Sequence, residues 1–180
     1  EYIEAYKPKS AVVVGGGFIG VEMAENLHER GIGVTLVEMV NQLIAPIDYD
    51  LACDVHNHIV SKGVKLFLGN SVRSIADKGD SLDIALDSGN INADMVIMAV
   101  GVKPETQIAK EAGIAVNERG SIIVDEHMRT SETDIYAVGD AVEITDFVTG
   151  IKGFVPLAGP ANKQGRIAAD NVCGIVSIYT

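Results

Sequence analysis

An α/β fold, built on a parallel sheet with helices against it and a small antiparallel meander, is predicted by three features. The first is the stretch AVVVGGGFIGVEMAENLHERGIGVTLVEM (Ala11–Met39), a hydrophobic run, a glycine cluster, a helical segment and a second hydrophobic run ending in Glu38. The second is continuation of the pattern, because another helical segment and another hydrophobic run follow directly. The third is composition: 47% of the 180 residues are hydrophobic, only 5% are aromatic and Trp is absent. That balance suits a buried parallel sheet under helices better than an aromatic-rich sandwich.

Each element can be justified in order. Residues 2–6 read as the end of a helix stopped by Pro8. SAVVVGG is a buried strand, and Phe18–Arg30 a helix with Ile19, Met23, Ala24 and Leu27 on one face. Gly31 and Gly33 end that helix, and VTLVEM is the second buried strand. From Asp48 to Lys62 a second helix places Leu51, Val55 and Ile59 at i, i+4 and i+8; Gly63 caps it and VKLFLG is the third strand. The pattern then changes to period-2 alternation around turns at Lys78-Gly79-Asp80 and Ser88-Gly89-Asn90. This is a three-stranded meander leading into an apolar strand, Met95–Val100. Gly101 and Pro104 break that strand, so one domain is placed at 1–102 and a second region at 103–180. The second region holds a short helix (Thr106–Ala112), strands near Ser121–Val124 and Ile135–Val138, a turn-rich stretch and a closing helix, Pro160–Cys173. Proline at the first helical position and Gly174 just past the end are its terminus signals.

Several function classes are excluded. A net charge of −11 argues against nucleic acid and anionic membranes, although helix N-termini can hold a phosphate-bearing cofactor without net positive charge. No run reaches the roughly 18 apolar residues of a membrane span, and the opening EYIEAYKPKS is no signal peptide, so a cytoplasmic setting is expected. Cys53 and Cys173 form no C-x-x-C pair and sit in helical patterns, where buried, inert thiols are expected. His56 and His58, two apart on a helix, point to opposite faces and make no metal pair; His28 and His127 have no readable partners, and Lys103 and Lys163 read as solvated charges.

The spacing Gly15-x-Gly17-x-x-Gly20 lies between a strand and a helix, the context a dinucleotide-binding turn requires. Gly15 permits the tight turn, Gly17 lets backbone approach a pyrophosphate on the helix N-terminus, and Gly20 allows close helix–strand packing. Glu38, 18 positions after Gly20, suits a ribose 2′-hydroxyl and would repel a 2′-phosphate. No Lys or Arg follows in MVNQLIAP, so NAD(H) is preferred to NADP(H). The adenosine of S-adenosylmethionine could use the same turn, but the meander and the later Gly139-Asp140 do not belong to that alternative.

With those residues in view, the chain resembles the FAD-dependent pyridine nucleotide–disulfide oxidoreductases. VVVGGGFIGVEMAENL looks like the NAD-binding segment of that family, and AVGVKP (Ala99–Pro104) is similar to the strand closing its NAD domain. TSETDIYAVGDA (Thr130–Ala141) looks like its second FAD-binding motif. VPLAGPANKQGRIAADNVCG (Val155–Gly174) matches the segment before its dimerisation domain and is particularly like the coenzyme A disulfide reductase and NADH oxidase branch. The resemblance implies a Rossmann-like NAD-binding domain at 1–102 and the C-terminal part of a discontinuous FAD-binding domain at 103–180. Gly15, Gly16, Gly17, Phe18, Ile19 and Gly20 would line the NAD pyrophosphate, Glu38 the adenosine ribose, and Gly101 would approach the dinucleotide by its backbone. Glu22 would stand near the nicotinamide. Gly139 and Asp140 would bind the ribityl or phosphate part of FAD, and Leu157 and Ala158 would face the flavin ring.

The same resemblance implies a parent enzyme passing hydride from NADH to FAD and on to a small-molecule disulfide or oxygen, as a homodimer through a further C-terminal domain. The family's first glycine motif and redox cysteine have no counterpart in these residues, and neither Cys53 nor Cys173 matches the latter. The piece is therefore expected to bind NADH without turning over, with no catalytic residue of its own. A stand-alone nucleotide-binding or redox-sensing module is the alternative.

Overall fold

A computed structural model describes residues 1–179. It divides into two compact units, Glu1–Val102 and one beginning at Lys103. The first unit opens with α1 (Tyr2–Tyr6), closed by Lys7 in the left-handed conformation, and then runs through β1 (Ser10–Val14), α2 (Phe18–Glu29), β2 (Gly33–Val37), α3 (Tyr49–Ser61) and β3 (Lys65–Phe67). The meander follows as β4 (Val72–Asp77), β5 (Leu82–Leu86) and β6 (Gly89–Ala93), and β7 (Met95–Met98) returns to the first sheet. That sheet is parallel throughout, in the order β3-β2-β1-β7, and the meander is a separate antiparallel sheet.

The unbroken apolar run of β1 is explained by its two neighbours. Ala11 and Val13 point to one face, where they pack with Ala24 and Leu27 of α2 and with Val55 and Ile59 of α3. Val12 and Val14 point to the other and pack with Ile84, Leu86 and Ala93 of the meander. A strand buried on both faces has no polar position to spare, whereas β5 needs apolar residues only at every second place. Helices thus cover one face of the sheet and the meander covers the other.

Two helical faces are rotated from the expected ones. On α3 the fully buried residue is Ala52, with Val55 and Ile59 beside it, and Leu51 is 56% exposed. On α2 the buried stripe is Gly20, Ala24 and Leu27, leaving Ile19 half exposed. In both helices the smallest residue of the stripe faces the sheet, which lets the helix axis approach more closely than Leu or Ile would permit.

The second unit contains α4 (Gln107–Glu111), β8 (Ile122–Ile123), β9 (Val142–Thr145), β10 (Lys152–Gly153) and α5 (Ala158–Val172). β8 pairs parallel to β9, and β9 antiparallel to β10. The strand expected at 135–138 reduces to one bridge between Arg129 and Tyr136. Met128, opposite it, has φ 66 and turns the partner chain out of extended register. Instead β9 and β10 form from the turn-rich stretch, joined by a turn in which Asp146 accepts the Val148 and Thr149 amides and the Thr149 hydroxyl. α5 begins two residues before Pro160, and Gly174, with φ 81, follows its C-cap Cys173. Met128, Ile167 and Ala168 form this unit's core.

Other side chains depart from expectation. Cys53 is half-buried, and Cys173 is exposed because α5 buries the Gln164, Ile167, Ala168 and Asn171 face instead. His127 has a partner, its Nδ1 lying 2.9 Å from the Ser177 carbonyl, and Lys163 Nζ stands 5.3 Å from the Tyr179 ring centre. Among the described residues no helix is long and apolar enough to cross a membrane.

Asp94 anchors the start of β1 from the β6–β7 link, its Oδ2 accepting the amides of Lys9 at 2.7 Å and Ser10 at 2.9 Å. These bonds, the Lys9 amide foremost, hold its carboxyl below the ordinary range. A carboxylate whose folded value is depressed stabilises fully above its unfolded value, about 3.9, and loses that contribution as pH falls through the folded value. Asp94→Asn is therefore expected to lower the urea midpoint by a constant amount between pH 5 and 8. Its curve should converge with wild type as pH falls through the depressed folded value; a gap that persists in acid would show that charge is not what matters.

Candidate functional site

β7 pairs with β1 on the side away from β2, so the carboxyl edge beside β1 is the switch point at which an α/β sheet opens a crevice. The glycine turn lies in it. Gly15 has φ 106 and donates its amide to the Val37 carbonyl at 2.8 Å; Ala99 donates to the Val14 carbonyl at 2.7 Å. A Cβ on Gly15 would overlap the Ala99 carbonyl oxygen, and one on Gly20 would overlap the Gly15 carbonyl oxygen. Gly20 was expected to serve helix–strand packing; what it admits at closest range is the turn's own carbonyl. Gly17 differs from both, because a Cβ there would meet nothing within 4 Å.

Gly17 is the N-cap of α2 and offers no side chain to it. The Val21 amide closes the first turn onto the Gly17 carbonyl at 3.0 Å, so the amides of Phe18, Ile19 and Gly20 precede the helical ladder. The positive end of the helix dipole and an open approach coincide at this point. Phe18 and Ile19 are each 49% exposed, and Met39, Met98 and Val100 around the same carboxyl edge are more exposed still. Glu22 is exposed one turn into α2, and Gly101, with φ 103, has open space about its α-carbon.

Glu38 lies just past β2, and its carboxylate is already engaged. Oε2 accepts the Gly16 amide at 2.5 Å and Oε1 the Val40 amide at 2.9 Å. Each oxygen keeps a further lone-pair direction. A Cβ on Gly16 would overlap Leu43 Cδ2 and lie 3.1 Å from Glu38 Cβ, so Gly16 is required by the packing of the segment after β2. The Ile44 amide also donates to the Gly16 carbonyl at 2.8 Å. From Met39 to Ile47 that segment carries no charged side chain.

The remaining candidates gather in the second unit. Gly139, with φ 80, opens a short 3-10 turn, and its amide donates to Gln164 Oε1 at 2.7 Å. Gln164 is 2% exposed, while Asp140 beside Gly139 is exposed. Leu157 is the N-cap of α5 and Ala158 its first residue, both exposed. Nearby in sequence, a cleft of about 300 Å³ contains Asn117, Arg119, Glu143 and Lys152. Hydrogen bonds from Asn117 and then Lys152 hold the Glu143 carboxyl below its usual range, so its charge ties β9 to β10.

Gln164, Leu43 and His56, which holds the Leu43 amide, were missed from the sequence. Gln164 had a readable signal, since it shares a helical stripe with Ile167, Ala168 and Asn171 and a polar residue there must be bonded. Leu43 and His56 lie in different elements and had none. A groove of about 810 Å³ between α2 and α3 is floored by Val21, Val55 and Ile59 and lies on the helical side of the sheet.

A family model described as pyridine nucleotide-disulphide oxidoreductase matches residues 1–165. An NADH oxidase of Methanocaldococcus jannaschii is 40% identical over 176 residues, covering 97% of this chain and 39% of the relative's length. The structure of reduced Bacillus anthracis CoADR-RHD is 50% identical with TM-score 0.92, over 99% of this chain and 32% of that one. The water-forming NADH oxidase of Lactobacillus brevis bound to NADH is 31% identical with TM-score 0.89, over 99% and 40%. Its engineered NADPH oxidase variant, bound to NADPH, has TM-score 0.90, identity 30% and the same coverage. The chain thus spans about two fifths of the curated relative it matches.

The glycine geometry separates positions closed off by backbone from one that is open. Gly20→Ala should lose about 1–3 kcal/mol because backbone must shift, whereas Gly17→Ala should stay within about 1 kcal/mol of wild type as an N-cap change. Equal urea-unfolding losses in the two variants would contradict this division.

Proposed function

Because the chain belongs to the pyridine nucleotide-disulphide oxidoreductase family, we propose that residues 1–102 bind NADH and residues 103–180 supply the later part of an FAD site in a flavoprotein oxidoreductase. One observation carries the NADH assignment: the Glu38 carboxylate stands at the carboxyl end of β2, hydrogen-bonded to the glycine turn, with no cation in the segment that follows. The amides of Phe18, Ile19 and Gly20 take the pyrophosphate oxygens, and the bare α-carbon of Gly17 leaves room for their approach. Gly15 and Gly16 shape the turn, and Gly101 offers backbone. The lone pairs that Glu38 keeps accept the adenosine ribose hydroxyls, while a 2′-phosphate would meet a carboxylate with no compensating cation. Glu22 lines the nicotinamide end.

In the second unit, Gln164 holds Gly139 in its left-handed conformation, and Gly139 and Asp140 address the ribityl or phosphate part of FAD. Leu157 and Ala158, at the amino end of α5, place the positive end of a 15-residue helix where charge accumulates on reduction. When bound, the flavin supplies the two-electron chemistry, accepting electrons from NADH for delivery to a disulfide or to oxygen. A cytoplasmic, homodimeric parent enzyme completes the proposal on family resemblance alone.

Isothermal titration of the chain with NADH, NADPH and S-adenosylmethionine tests the assignment. NADH should bind at least about tenfold more tightly than NADPH, and Glu38→Gln should weaken NADH about tenfold, the worth of one charge-assisted hydrogen bond, and narrow the preference. Gly17→Ala should weaken NADH while leaving stability nearly unchanged. Preference for NADPH or for S-adenosylmethionine would overturn the assignment.

A further inference from the structure

The segment between Glu38 and α3 is held at its middle by an imidazole. His56, on the second turn of α3, has its Nε2 3.0 Å from the Leu43 amide nitrogen. A backbone amide can only donate, so Nε2 must be the acceptor and the ring must be neutral with its proton on Nδ1. Leu43 is fully buried, and its Cδ2 fills the place a Gly16 side chain would take. The next amide, that of Ile44, donates to the Gly16 carbonyl, and the Gly16 amide donates to Glu38. The chain of contacts therefore runs from His56 through Leu43 and Ile44 to Gly16 and Glu38, the two residues that join the glycine turn to the ribose position.

Local preference does not maintain this arrangement. Ile44 has φ 49, a left-handed conformation that a β-branched residue adopts only when its surroundings impose it. Gln42 Nε2 closes the far side by donating to the Ile47 carbonyl at 2.6 Å. The charges around the imidazole are few. Residues 39–47 and the glycine turn carry no ionisable side chain, Glu38 is committed to two amides, and the Tyr49 ring meets the imidazole edge-on at 6.4 Å between centroids.

We propose that His56 is a positioning residue of the dinucleotide site, whose neutral imidazole holds Leu43, Gly16 and Glu38 in binding geometry and whose protonation releases them. The proposal rests on residues 1–102 being the NADH-binding domain. On protonation Nε2 becomes a donor facing a donor, the Leu43 amide loses its partner, and the segment no longer supports Gly16 from beneath.

The test uses the 180-residue chain with NAD⁺, chosen because it survives mild acid, titrated between pH 5.5 and 8.5, alongside amide NMR of Leu43. Wild-type affinity should fall about fivefold to tenfold from the alkaline to the acid end of that range, the worth of one lost hydrogen bond, and the Leu43 amide should shift in step with it. His56→Gln, which keeps an acceptor near the Nε2 position without a titrating proton, should retain the pH 8 affinity and flatten the profile. His56→Leu should bind weakly at every pH and exchange its Leu43 amide faster. A pH profile that persists in His56→Gln would overturn the proposal, and this comparison stands even if His56→Leu fails to fold. Failure of the wild-type chain to bind NAD⁺ at any pH would overturn the dinucleotide assignment; failure of the clamp is distinguishable, because the Leu43 amide would then not titrate.

Discussion

Three stretches of backbone meet at the end of β1 with no room for a side-chain carbon between them. The Gly15 α-carbon faces the Ala99 carbonyl, and the Gly20 α-carbon faces the Gly15 carbonyl. This contact sets where α2 begins, how closely the β7 loop passes, and which amides are left unpaired at the helix start. Such close packing is possible only where two residues lack Cβ and one of them accepts a positive φ. Everything proposed for ligand binding in the first unit depends on this one approach, because it directs the helix terminus into the crevice and leaves Gly17 on the open side.

Glu38 and Gly16 extend the same constraint sideways. A carboxylate that accepts two amides fixes the end of β2 relative to the turn, and Leu43 fills the space beneath. The Glu38 carboxylate and the glycine turn are consequently one assembly.

Much of the fold was legible because its physical causes are local or periodic. The two-sided burial of β1 shows as an uninterrupted apolar run, the one-sided burial of β5 as alternation, and the glycine spacing as a turn between them. The place of Glu38 at the end of β2 was legible from the hydrophobic run it closes. What escaped depended on contacts between segments. Whether Ala52 or Leu51 faces the sheet is decided by how near α3 can approach, and nothing within α3 states that distance. The bridge at Tyr136 stayed short because of the backbone conformation of Met128, eight residues earlier. The two strands that replaced it in importance, β9 and β10, are too short to display a period. His56 reads as an ordinary helical histidine until Leu43 is placed beside it.

The position of β7 has a consequence for how the first unit is made. Ala11 pairs with Met95, and between them lie two helices, two strands and the whole meander. Contacts so distant in sequence close late, after the hairpins of β4–β6 and the β1–α2–β2 unit have had time to form. The Ala99 carbonyl that completes the glycine turn arrives with that last strand. The GGGFIG stretch thus has no finished turn until β7 docks, so the crevice beside it is assembled late in the folding of this unit.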